Sequence, residues 1–234
     1  MLGVVIVAYT SADVIGDCLD SVVGAPEIAR IVVVDNRSPD ATVETVRAWA
    51  GRMGPPLAES DPAAPLESRV TLIHAGLNRG FAGAVNIGLD RLKADPEIDA
   101  FWILNPDAVA RPGTAAALAA CAAQNPGFGL MGGRIVYSGR RQAVQADGGR
   151  YSRWTGVCES VNQGLSAAEA VAPPAEALDF VTGAHMVASR RFLEEVGPME
   201  ERYFLYYEEV DWAMRRGALP IVRCDGAEVV HQGG

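Results

Sequence analysis

The stretch AFWILNPDAVAR, residues 100–111, decides how this chain folds. Residues 101–104 are a continuous apolar run that stops at Asn105-Pro106-Asp107. A short apolar segment bounded by a turn signal is the pattern of a strand covered on both faces, as in a parallel sheet. Pro106 has no N–H to offer a neighbouring strand, so the run ends before it. The Asp107 carboxylate is thereby delivered to the carboxyl edge of a sheet, where open α/β folds bind their ligands.

The same pattern repeats on the amino-terminal side. Residues 4–7 read as a buried strand, and Thr10-Ser11-Ala12-Asp13 as a capping-box pattern opening a helix. Val14, Ile15, Cys18, Leu19, Val22 and Val23 follow at helical spacing and give that helix one apolar face. Residues 31–34 form the next strand, ending at Asp35-Asn36, and residues 42–52 the next helix. Residues 53–68 collect Pro55, Pro56, Pro62 and Pro65 among small and acidic residues, which predicts an exposed connection. Strand pattern resumes over residues 70–73, and Leu77-Asn78-Arg79-Gly80-Phe81 leads into a helix from about residue 82 to residue 93. Strands alternating with helices predict a mostly parallel α/β sheet with right-handed crossovers, up to about residue 124.

The second half changes character. Residues 130–137 and 148–159 are β-like and punctuated by glycine, and residues 166–177 form an Ala/Pro/Glu stretch expected to be a mobile loop. Residues 180–184 read as a short strand and turn, 190–196 and 208–216 as helices, and 221–224 and 227–230 as two short strands. The expected organisation is a single domain over residues 1–234, with a nucleotide-binding half (1–125) and a smaller, β-rich acceptor half (126–234).

Composition narrows the function. With 234 residues, 49% of them hydrophobic and 21% charged, the chain has the make-up of a globular protein able to bury a substantial core. A formal charge of −9 argues against nucleic acid as a partner, because phosphate-backbone binding needs a basic footprint. Cys18, Cys121, Cys158 and Cys224 form no metal-binding or disulfide pattern, which fits a reducing cytoplasm. No signal peptide and no bilayer-spanning run of roughly 18 to 20 apolar residues is visible, so the chain reads as soluble, with room for peripheral attachment to a membrane. The sequence stops at His231-Gln232-Gly233-Gly234, straight after an apolar strand, and the expectation is a piece cut from a longer protein.

Three sets of acidic residues could carry chemistry: Asp35, Asp107, and the cluster Glu208, Glu209 and Asp211. An aspartate at a strand end is commonly turn chemistry. Two in one parallel sheet would face one crevice, where they could hold Mg²⁺ or Mn²⁺ or accept from a base or sugar. Asn78 to Gly83 is a polar, glycine-containing loop at a helix start. It reads either as a simple glycine turn or as an anion site, and matches neither a dinucleotide fingerprint nor a P-loop. YFLYYEEVDWAMRR, residues 203–216, sets aromatics against three carboxylates. That arrangement suits a general base raised by desolvation, and equally a helix start favouring negative charge.

Taken in order, VVIVAYTSADVIGDCLDSV, IVVVDNRSPDAT, LNRGFAGAVNIGL, WILNPDAV, VTGAHMVASRRFLEEVGPMEERYFLYYEEVDWAMR and VVHQGG resemble glycosyltransferase family 2, and within it the rhamnosyltransferase-like bacterial enzymes. The resemblance implies a GT-A fold, a nucleotide-diphosphate sugar donor such as dTDP-rhamnose or a UDP-sugar, a divalent metal (Mg²⁺ or Mn²⁺), and inversion at the anomeric carbon. It further implies a saccharide or lipid-linked glycan acceptor, and a place in cell-surface polysaccharide synthesis at the inner face of the membrane. Ala8, Tyr9 and Asp35 match positions that hold the donor nucleoside, Asp35 facing the base. Asn78, Gly80, Phe81 and Asn86 match the lining of the donor site. Asn105-Pro106-Asp107 stands at the family's Asp-x-Asp metal motif with an amide in first place, which leaves Asp107 as the main protein ligand to metal. Gly183-Ala184 matches the turn beside the acceptor. Glu208-Glu209 matches a Glu-Asp pair whose second member is the base, so Glu209 is assigned, with Glu208 and Asp211 as alternates. His231 matches a histidine that assists metal or diphosphate binding.

Two other readings remain open on sequence alone. One is a non-catalytic nucleotide-sugar-binding module of a larger glycan-assembly protein. A nucleotidyltransferase is disfavoured, because residues 7–13 lack a basic, glycine-rich triphosphate loop.

Overall fold

The computed structural model describes residues 1–54, 56–61, 66, 68–139 and 143–232. Pro55, Pro62 and Pro65 of the proline-rich connection, and Gly233 and Gly234 of the terminus, lie outside the described residues.

Strand β1 (Leu2–Ala8) is buried along its whole length. It pairs in parallel with β2 (Ile28–Asp35) on one side, and β2 in turn pairs with β4 (Val70–His74) and β4 with β3 (Leu57–Ser60). On its other side β1 pairs in parallel with β5 (Ala100–Leu104), the strand of the opening stretch. Side chains alternate across this sheet, as pleating requires. Leu2, Val4, Ile6 and Ala8 join a core with Ile15, Cys18, Leu19, Val22 and Trp49 from helices α1 (Ile15–Val23) and α2 (Thr42–Met53). Val5 and Val7 join a second core with Val85, Leu89 and Leu92 of α3 (Gly80–Lys93). Both faces being covered is why these strands read as uninterrupted apolar runs. Helix α3 lies so close to the sheet that a β-carbon at Gly88 would come 2.5 Å from Val5 Cγ1.

Beyond β5 the sheet continues without a break through the second half. Strand β11 (His185–Ser189) is inserted antiparallel between β5 and β7 (Leu130–Tyr137). Strand β12 (Ile221–His231) runs parallel to β7, and β6 (Ala108–Ala110) closes the edge antiparallel to β12. Short β8 (Val144–Ala146) pairs with β7, and β9 (Gly149–Tyr151) and β10 (Cys158–Ser160) form a separate hairpin. Helices α4 (Thr114–Gln124), α5 (Arg190–Glu195) and α6 (Glu208–Met214) complete the α/β layers.

Several expectations are corrected. The connection over residues 53–68 carries an edge strand, β3, whose Glu59 bonds Arg47 at 2.7 Å and His74 at 3.2 Å. The capping box does not form. Ser11 is buried with its hydroxyl bonded to Tyr9 backbone atoms and its N–H to Thr42 Oγ1, and α1 starts later, at Ile15, without a side-chain cap. The strand expected at residues 180–184 is displaced to residues 185–189. Phe180 makes only a single bridge, to Gly149, while His185 enters the core because its Nδ1 accepts from Trp102 Nε1 at 2.9 Å. Burial holds the His185 imidazole neutral, its pKa pushed down to about 3. The two strands expected at the end are one strand with a bulge, the register passing from Arg223–Gly132 to Glu228–Arg134. The loop expected to be mobile is tethered, since Arg134 donates to the carbonyls of Ala167 (2.5 Å) and Ala170 (2.9 Å) while pairing with buried Asp147.

Candidate active site

The carboxyl ends of β1, β2 and β5 open onto a cleft of about 490 Å³. Its walls include Tyr9, Asn36, Asn78, Gly80, Phe81, Asn105, Asp107, Phe204 and Leu205. Ala8 ends β1 behind this wall, its carbonyl accepting from Asn36 N at 2.9 Å. Asp35 is buried one residue before the wall, where Oδ1 accepts from Ser38 N at 3.0 Å and Oδ2 lies 3.8 Å from His74 Nδ1.

Asn36, which sequence reasoning passed over, is the cleft residue that organises this corner. Its Nδ2 donates to Asn78 Oδ1 (3.0 Å) and Gly80 O (3.1 Å), and its Oδ1 accepts from Arg79 N (2.9 Å). Its sequence signal is the Asp35-Asn36 pair at a strand end, where a short amide can bond the backbone of a neighbouring loop. At the start of α3, Gly80 N bonds Asn78 Oδ1 (2.9 Å) and Phe81 N bonds Phe204 O (2.9 Å). These amides already have protein partners, so Asn78 to Gly83 is a structured glycine turn and its first N–H groups do not point free at an anion. Asn86 is not in the cleft. Its side chain bonds both Met199 N (3.0 Å) and Met199 O (2.9 Å) and reaches Glu201 Oε1 (3.0 Å), which anchors the segment leading to residues 203–207.

At the end of β5, Asp107 Oδ1 stands 3.0 Å from His231 Nε2. Asn105 Nδ2 is 3.2 Å from the same nitrogen, and Gln145 Oε1 is 2.8 Å from His231 Nδ1. An imidazole with one nitrogen on an amide oxygen turns the other toward its ligand, which is how metal-binding histidines are oriented. Among the described residues no three His, Cys, Asp or Glu side chains gather around one point. The carboxylate–imidazole pair therefore fits a divalent ion only as a two-ligand corner, with the remaining positions left to oxygens of a bound ligand.

The carboxylates of α6 divide three ways. Asp211 Oδ2 is paired with Arg215 Nε at 2.8 Å, one turn along the helix. Glu208 is only 4% exposed, and burial pushes its carboxyl up to about 7, with the charge of Glu209 adding to the effect. Among the described residues its Oε2 has no hydrogen-bond partner. Glu209 is less enclosed. Burial pushes its pKa up as well, against the pull of its own backbone N–H and those of Gly183 and Val210. A β-carbon at Gly183 would lie 3.4 Å from the Phe81 ring and 3.8 Å from Glu209 Cβ, so turn, cleft wall and carboxylate are neighbours. On its other side the same turn receives Asn105 N at Ala184 O, 3.1 Å. Gly183-Ala184 thus links the Asn-Pro-Asp corner to Glu209.

Residues 3–147 match the family model described as glycosyl transferase family 2. The chain belongs to that family. Within it, the chain is 30% identical over 179 residues to the N-acetylglucosaminyl-diphospho-decaprenol L-rhamnosyltransferase of Mycobacterium tuberculosis, an alignment covering 69% of this chain and 58% of that one. It is 23% identical over 232 residues to the low-salt glycan biosynthesis hexosyltransferase Agl10 of Haloferax volcanii, covering 98% of this chain and 66% of that one. The family-2 chain therefore spans about three fifths to two thirds of the length of these relatives. Its fold is similar to GalNAc-T7 solved with UDP, GalNAc and Mn²⁺, at TM-score 0.70 and 14% identity over 99% of this chain and 43% of that one. It is also similar to the mannosyltransferase PcManGT of Pyrobaculum calidifontis with GDP-Man and Mn²⁺, at TM-score 0.63 and 17% identity over 99% and 56%. The expected GT-A fold and rhamnosyltransferase-like membership are borne out. Among the described residues no helix is long and apolar enough to cross a membrane.

Proposed function

We propose that this chain moves a deoxyhexosyl group, rhamnosyl first among the candidates, from a nucleoside-diphosphate sugar to a hydroxyl of a lipid-linked saccharide, with inversion. The relative that acts as a rhamnosyltransferase on a decaprenyl-diphosphate acceptor supports the substrate class. The observation that carries the chemistry is the Gly183-Ala184 turn, which touches Asn105 on one side and Glu209 on the other.

The donor nucleoside would rest along Tyr9 and Asn36, between β1 and the start of α3, with Asp35 fixing the turn behind them. Asp107 and His231 would hold a divalent ion, which, when bound, neutralises charge developing on the departing diphosphate. Glu209 would take the proton of the acceptor hydroxyl as its oxygen forms the new bond to the anomeric carbon. The bond from that carbon to the diphosphate oxygen breaks, and its electron pair leaves with the nucleoside diphosphate. A carboxylate raised by burial is a better proton acceptor than one in water, because its basicity lies nearer the working pH. Phe81 and Phe204 would exclude water from the reacting atoms, favouring transfer over hydrolysis.

The test is incubation of the protein with dTDP-L-rhamnose or UDP-sugars, Mg²⁺ or Mn²⁺, and a short-chain N-acetylglucosaminyl-diphospho-prenol. The expected product is a disaccharide lipid of inverted anomeric configuration by NMR, formed together with free nucleoside diphosphate. A retained configuration, or tight donor binding with no transfer in the longest natural form of the protein, would contradict the reading.

A further inference from the structure

The turn that carries Gly183 and Ala184 is closed by His185 N, which donates to Thr182 O at 3.0 Å. Both ends of that turn border a second cavity, of about 10 Å³, the room of one water molecule. Asp147 and Arg223 also line it. Three of these four residues each keep one buried polar atom with no hydrogen-bond partner among the described residues: Thr182 Oγ1, His185 Nε2 and Arg223 Nε. A buried polar group left unmatched is costly, so three around one small space call for a shared partner.

Their chemistry says what that partner is. An indole nitrogen only donates, so His185 Nδ1, which takes the Trp102 Nε1 hydrogen at 2.9 Å, is the bare nitrogen of the ring. Burial keeps the imidazole neutral, and its one proton therefore sits on Nε2. Arg223 Nε always carries a proton. The Asp147 carboxylate is already filled: it accepts from Arg134 Nε (2.9 Å) and Nη2 (2.7 Å), Asn162 Nδ2 (2.8 Å) and Arg223 Nη2 (3.3 Å). Two N–H groups and a hydroxyl facing one cavity need a small group that accepts twice and donates once. Water does that. The N–H donors rule out a metal ion, and the volume rules out a sugar.

We propose that one water molecule occupies this cavity, accepting from His185 Nε2 and Arg223 Nε and donating to Thr182 Oγ1, and that Thr182 and His185 act through it as positioning residues for the Gly183-Ala184 turn. The water ties both ends of the turn to Arg223 on β12, which shares Asp147 with Arg134 on β7. The turn itself meets Glu209 at Gly183 and Asn105 N at Ala184 O. The water thus sets where the proton acceptor sits relative to the Asn-Pro-Asp corner. That last step rests on the role of Glu209 in the proposed function; the water site does not.

NMR of the protein without substrate is expected to show cross-relaxation between the His185 Nε2 proton and a bound water, and a crystal structure to show one oxygen at about 2.7–3.2 Å from all three atoms. Thr182→Val keeps the side-chain shape and removes the hydroxyl. It should speed hydrogen exchange at His185 N about tenfold, and lower kcat about tenfold with donor KM within about twofold. Thr182→Ser should restore both. No water at the three atoms would overturn the proposal, and a chloride there, shown by anomalous scattering after exchange to bromide, would overturn it in favour of an anion site. Wild-type exchange and kcat in Thr182→Val would overturn the positioning role, as would losses that Thr182→Ser fails to restore. Intact transfer with no water in the cavity removes this inference and leaves the proposed function. A bound water and faster exchange in Thr182→Val, with no transfer from any nucleotide sugar by the wild type, do the reverse.

Discussion

At the scale of single residues, two adjacent glutamates have different surroundings, and the proposed function gives them different roles. Glu208 is enclosed and, among the described residues, its Oε2 has no hydrogen-bond partner, whereas Glu209 faces the turn at Gly183. A carboxyl whose folded pKa is about 7, above its usual 4.5, keeps its proton longer when folded than when unfolded. Below pH 4.5 both states are protonated and ionisation adds no cost, and the cost of keeping the proton grows as pH rises toward 7. Glu208→Gln should therefore stabilise the protein by roughly 2–3 kcal/mol above pH 7 and by little at pH 4.5. Urea titrations at the two pH values check this; a pH-independent difference would contradict it. The family resemblance ranks Glu209 before Glu208, but the difference in their burial is not legible in the sequence, because it is set by what packs over them. The same holds for Asn86, matched to the donor site by its place in the chain and found holding Met199.

At the scale of elements, the parallel half was legible and the antiparallel half less so. Residues 101–104 announce a strand by themselves, since sheet burial on both faces removes every polar residue from the run. His185 to Ser189 does not, because it carries polar residues whose burial rests on contacts outside the run: His185 Nδ1 accepts from distant Trp102, and Ser189 Oγ caps the following helix at Phe192 N. Strand β12 reads as two runs parted at Asp225-Gly226 because the chain bulges there, between Arg223 and Glu228, without leaving the sheet. The start of α3 carries its own test. Gly80 has φ +71°, and a β-carbon there would come 2.3 Å from Phe204 O. Gly80→Ala should cost about 1–2 kcal/mol for the left-handed backbone alone. Displacing Phe204 should add to this and weaken nucleotide binding at the cleft. A variant with unchanged melting temperature and unchanged nucleotide affinity would show that the contact is not required.

At the scale of the whole molecule, one sheet, ten-stranded among the described residues, carries both halves of the candidate site. The first half ends its parallel strands at Tyr9, Asn36 and Asn105; the second returns through β11 and β12 to bring Gly183 and His231 to the same edge. Sequence patterns expose which segments are strands, but the order β5–β11–β7–β12 depends on pairing between segments far apart in the chain, such as Met186 with Gly132 and Ile221 with Leu130, which no local period encodes. That return path is what sets Glu209 on one side of the cleft and the Asp107–His231 pair on the other, the arrangement on which the proposed transfer depends.

The central claim is that Glu209 accepts the acceptor proton, and release of nucleoside diphosphate under saturating donor and acceptor measures it most directly. Glu209→Gln is expected to lower kcat by about 10²- to 10⁴-fold while leaving donor affinity within about twofold, and Glu208→Gln to keep most of the turnover. Wild-type kcat in Glu209→Gln would place the base elsewhere and contradict the account.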